Sequence, residues 1–62
     1  MGDFTFHVEH TDREPIVRVR ALAGEADAVA YAQQLLRDWP DCEKIDVVEG
    51  DHLVSRLRPQ HP

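Results

Sequence analysis

Among the 62 residues, the side chains best suited to hold a metal are His7, His10, Cys42 and His52, because imidazole and thiolate are borderline-to-soft ligands. Their spacing works against a site. His7 and His10 lie in an alternating run, where residues three apart point to opposite faces of a strand, and one cysteine cannot supply the paired spacing of a structural zinc site. The pattern predicts no metal and no cofactor.

Cys42 acting as a nucleophile beside His52 or His7 would need a depressed thiol pKa. It follows the predicted end of a helix, where the dipole is negative, and Asp41 and Glu43 flank it, so its thiolate is disfavoured. Its expected role is a small semi-buried residue leading into a strand. The carboxylate pairs Asp12 with Glu14, Glu25 with Asp27, and Asp41 with Glu43 fall in turns or at exposed helix ends, without the contrasting environments that acid/base catalysis requires. The segment EGDH, residues 49–52, lacks the glycine pattern and following helix of a phosphate-binding loop and reads as a turn. No enzyme is predicted.

The elements that would position these residues must fit in one small domain, near the lower limit at which a hydrophobic core alone offsets chain entropy. With Phe4, Phe6, Tyr31 and Trp39 as its only aromatics, that core must be mostly aliphatic. A single cysteine excludes an internal disulfide. The start MGDFTFHVEH has neither the basic leader nor the apolar run of a secretory signal, and Phe6 stands where a myristoylation signal wants Ser or Thr. No run approaches the roughly 20 apolar residues of a membrane span. A cytoplasmic protein without membrane attachment is expected. Twelve acids against seven bases give a net charge of −5, which argues against nucleic-acid binding through net charge.

Phe4, Phe6 and Val8 alternate with polar residues, predicting a strand over about 4–10. TDREP supplies a turn, and IVRVRAL resumes the alternation, with Val17, Val19 and Ala21 assigned to the inner face. From Glu25 the period becomes helical: Ala28, Ala32, Leu35, Leu36 and Trp39 share one side, Gly24 serves as N-cap, and Pro40 stops the helix. Trp39 is expected to close the core at the helix end. Residues 43–49 and 53–58 form a second hairpin around Gly50 and Asp51. A two-residue loop would set Ile45 opposite Arg56, whereas an odd-length loop with a bulge aligns Ile45 with Leu57, Asp46 with Arg56 and Val48 with Val54. The predicted fold is α+β, a two-layer ββαββ arrangement with a four-stranded, mainly antiparallel sheet and one helix on one face. The tail from residue 58 is expected to fray.

The segment EADAVAYAQQLLRDWPDCEKIDVVEGDHLVSRLRP, spanning about residues 25 to 58, resembles the second half of short bacterial proteins of unassigned function. These carry an Ala-rich helix and a hairpin of the form I-x-V-x-x-G-x-x-L-V-x-R-L. The resemblance implies a bacterial source and brings no catalytic or binding residues.

With Leu53 also assigned inward, the outer face is expected to gather Arg18, Arg20, Lys44, Arg56 and Arg58 among Ile16, Leu22, Val48 and Val54. An exposed antiparallel sheet alternates in this way by default, yet arginine among aliphatic residues also suits a protein interface, and a small domain gains from association. The expected function is therefore a non-enzymatic binding or adaptor module. It would be a homodimer or bind a partner protein through Arg18, Arg20, Lys44, Val48, Val54, Arg56 and Arg58. The alternative is nucleic-acid binding on the same basic face, which lacks the aromatic platforms that single strands stack on.

Overall fold

A computed structural model describes residues 2–59. Its elements are β1 (Gly2–Glu9), β2 (Ile16–Leu22), α1 (Glu25–Asp38), β3 (Lys44–Glu49) and β4 (His52–Leu57). The strands form one antiparallel sheet in the order β2-β1-β3-β4, with the helix on one side, the α+β arrangement read from the sequence. The tail expected to fray begins at Arg58, and its last three residues lie outside the described ones.

The helix starts where Gly24 turns extended; no side chain caps it, and the Gly24 carbonyl accepts the Ala28 N–H at 3.1 Å. Glu25 and Asp27 meet the positive end of its dipole and Arg37 the negative end. Trp39 donates its N–H to the Leu35 carbonyl at 2.8 Å, and Pro40, lacking an N–H, ends the run. Ala28 and Ala32 are buried with Leu35, so the small side chains bring the helix close to the sheet.

Beneath it Phe4, Phe6, Val8, Ile45 and Val47 are fully buried, alternate residues of the two central strands. Tyr31 meets Phe6 edge-to-face at 4.7 Å between centroids. Trp39 is half-buried at the rim of this core, with His10 edge-on at 5.7 Å and the Arg13 guanidinium 5.5 Å from its centroid.

Two strand faces differ from the sequence reading. The β1–β2 register sets Phe4 opposite Arg20, Phe6 opposite Arg18 and Val8 opposite Ile16, and directly opposed residues share a face. Ile16, Arg18, Arg20 and Leu22 therefore lie on the helix side, and Val17, Val19 and Ala21 on the open side. IVRVRAL alternates in either phase, and a one-residue slip reverses every side chain. The observed phase packs Ile16 and Leu22 against the core at the strand ends, while the edge position leaves Arg18 and Arg20 accessible to water.

The second difference lies in β4. Glu49 pairs with His52 and Val48 with Leu53, so the loop has two residues, Gly50 and Asp51, rather than an odd number. A register shift between Val47 and Val48 accommodates Val54 as an extra residue, and beyond it Asp46 faces Arg56 and Ile45 faces Leu57 as expected. The bulge turns Val54 toward the core and leaves Leu53, 45% exposed, on the open face.

Candidate interaction surface

The seven residues expected to share one face do not. Lys44, Val48 and Arg56 lie on the open face, by their pairing with Glu9, Thr5 and Asp46. Arg18 and Arg20 lie on the helix side of the edge strand β2, and Val54 packs against the core. Arg58 lines a groove of about 460 Å3 between the helix and the end of β4, with Leu36, Arg37, Pro40 and Leu57.

What the open face presents instead is a row of aliphatic residues on β2, β3 and β4, bridged on β1 by Thr5. Val19 opposes Thr5, Thr5 opposes Val48 and Val48 opposes Leu53. Val17, Val19 and Leu53 are 48%, 60% and 45% exposed, the large aliphatic residues that solvent reaches most. Beside this row runs one that is polar apart from its first member, Val17, His7, Asp46 and Arg56, and beyond it Glu9 faces Lys44.

Four of the five charges of this face are paired, Asp3 having no partner among the described residues. Arg56 donates from Nε to Oδ1 of Asp46 at 2.7 Å and from Nη2 to Oδ2 at 3.3 Å. That hydrogen-bonded guanidinium holds the Asp46 carboxyl below the usual carboxylate range, against the opposing effect of its own partial burial. Lys44 Nζ lies 3.9 Å from Glu9 Oε2. Two bases and three acids (Asp3, Glu9, Asp46) make the face slightly negative, so the basic surface that nucleic-acid binding would need is not formed there.

The side chains with the chemistry of metal ligands are dispersed. His7 is on the open face, His52 is exposed at the start of β4, and Cys42 is buried in the core. Burial pushes the Cys42 thiol pKa up, and the Asp41 carboxylate adds to the shift. His10 packs against Trp39, and its two ring nitrogens are buried without a hydrogen-bond partner among the described residues. Among those residues, no three of His, Cys, Asp and Glu come close enough to share a metal. No helix is long and apolar enough to cross a membrane among the described residues.

Sequence reasoning missed Val17, Val19 and Leu53 as surface residues. For β2 the signal was the bulk of Ile16 and Leu22 at the strand ends; for β4 it was Gly50 in first place of a two-residue loop. Comparison of the chain with protein-family models, with curated proteins and with solved structures found no match.

Proposed function

We propose that this chain is a non-enzymatic protein-binding module that pairs with a second copy of itself through the open face of its sheet. The observation that carries this reading is the row Val19, Thr5, Val48, Leu53, aliphatic on β2, β3 and β4 and bridged on β1 by Thr5, with Val19 and Leu53 exposed. Sheets that stack face to face keep their strands roughly aligned, about 10 Å apart. A two-fold axis running along the strands, between β1 and β3, then lays β1 over β3 of the second copy and β2 over β4.

The resulting juxtapositions are complementary except where Val17 lies over Arg56. Glu9 meets Lys44 of the second copy, His7 meets Asp46, Thr5 meets Val48, and Val19 meets Leu53, with no like charges opposed. The remainder of the molecule carries most of its net charge of −5, so two copies repel each other least across this face.

The test is the molar mass in solution by light scattering. A dimer is expected, with monomers for Val19→Asp and for Leu53→Lys, and a restored dimer for the double variant because the two new charges face each other across the axis. A monomeric parent chain, or a dimer indifferent to both single substitutions, overturns the reading.

A further inference from the structure

We propose that the free edge of β2 binds an extended segment of a partner protein carrying acidic side chains at alternate positions, with Arg18 and Arg20 as the residues that select it. Face-to-face pairing of two copies leaves this edge uncovered, and the proposal does not depend on that pairing.

Among the described residues only the β1 side of β2 is paired, so alternate backbone N–H and C=O groups along Ile16–Leu22 face outward. The two edges of the sheet differ. On β4 the bulge at Val54 interrupts a six-residue strand, a device that blunts an edge. On β2 seven residues run without a bulge or a proline, Pro15 standing just before the first of them. This is the longer and more regular template for an added strand.

The side chains along β2 define what can be added. Arg18 and Arg20 project to the helix side, and among the described residues neither has a carboxylate within salt-bridge distance. The Arg18 guanidinium reaches only its neighbour's carbonyl, at 3.4 Å. Arg20 donates from Nε to the Tyr31 hydroxyl at 3.2 Å, with its guanidinium carbon 5.6 Å from the ring centroid, which leaves its two terminal nitrogens free. Tyr31 is itself held edge-on by Phe6, so one of the two cations is oriented in advance. On the opposite side Val17 and Val19 offer apolar neighbours.

A second copy of β2 does not fit this edge. Symmetric antiparallel pairing over five or more of its residues opposes Arg18 to Arg18, Arg18 to Arg20 or Arg20 to Arg20, all like-charge pairs. A strand with Glu or Asp opposite both arginines, and aliphatic residues between, reverses the sign of those contacts.

The probes are two capped heptapeptides, TVEVEVT and TVKVKVT, titrated into the full chain while backbone amide resonances are followed. The acidic peptide is expected to shift amides of residues 16–22 in a saturable way, with binding at least about tenfold tighter than the basic one at low salt and weakening as salt is added. The double variant Arg18→Glu/Arg20→Glu, checked for a native-like spectrum, is expected to exchange the preference in favour of TVKVKVT. The proposal is overturned if neither peptide shifts the β2 amides, if the shifts map elsewhere, or if the charge exchange leaves the preference unchanged; the arginines would then only guard the edge. The peptides report on β2 and the molar mass on the open face, so each reading can fail alone.

Discussion

At the scale of single residues, Asp46 carries the clearest electrostatic signature. Its carboxyl lies below the ordinary value of 3.8, first because Arg56 hydrogen-bonds to it. A group whose folded pKa is depressed contributes stability that is fully present above the unfolded pKa and is lost as pH falls through the folded one. The pair is thus intact at neutral pH and fails in the acid range below about pH 4. Arg56→Met is expected to lower stability more at pH 7 than at pH 2, toward which protonation of the carboxyl removes the pair. Urea titrations of both chains at the two pH values measure this, and an equal loss at both would assign the effect to packing of the arginine stem. Asp46 opposite Arg56 was legible in the sequence because that pairing is what aligned Ile45 with Leu57. The half-buried Trp39 was only partly legible: its helical phase was clear, but its edge-on contact with His10 and the Arg13 guanidinium over its ring depend on the connection from β1 to β2.

At the scale of elements, the β3–β4 turn is the most constrained. Gly50 has φ +63°, whereas Asp51 does not have positive φ, which is the type II′ combination with glycine first. Gly50→Ala places a Cβ in left-handed backbone and is expected to cost about 1 kcal/mol, read as a lower denaturation midpoint. No loss would mean that the turn re-forms with another geometry. The helix was readable almost residue by residue, since Gly24, the Ala28–Ala32–Leu35 stripe and Pro40 all act locally. The central strands were readable because buried and exposed positions differ sharply in type. The edge strands were not. In β2 both faces carry aliphatic residues, and in β4 one inserted residue lets the strand obey one register near the turn and the other beyond it. The candidate surface inherited both errors, so three of its seven predicted residues lie on the open face, and the aliphatic residues that dominate it were assigned to the core.

At the scale of the whole molecule, a surface of 4254 Å2 is close to the roughly 4,100 Å2 expected of a compact monomer of 7.1 kDa. Each copy thus closes its own core, and association through the open face adds to a fold already complete. The two hairpins meet only where β1 pairs with β3, and there the partners are distant in the chain, from Glu9 with Lys44 to Phe4 with Glu49. Because hairpins close faster than long loops, formation of this seam is expected to limit folding. Val47→Ala, in the seam, should slow refolding in stopped-flow measurements, whereas Leu57→Ala, at the outer strand, should mainly speed unfolding. Equal partitioning at both positions would show the sheet forming as one unit.

That seam has a further consequence during synthesis. β1 is central in the finished sheet, yet it and β2 leave the ribosome before the helix and β3 exist to cover them. Until residues 44–49 emerge, the nascent hairpin shows the phenylalanines of β1 on one side and the aliphatic residues of β2 on the other. On the side that shows the phenylalanines, Arg18 and Arg20 are the charged residues, and their like charge disfavours edge-to-edge pairing of two such hairpins.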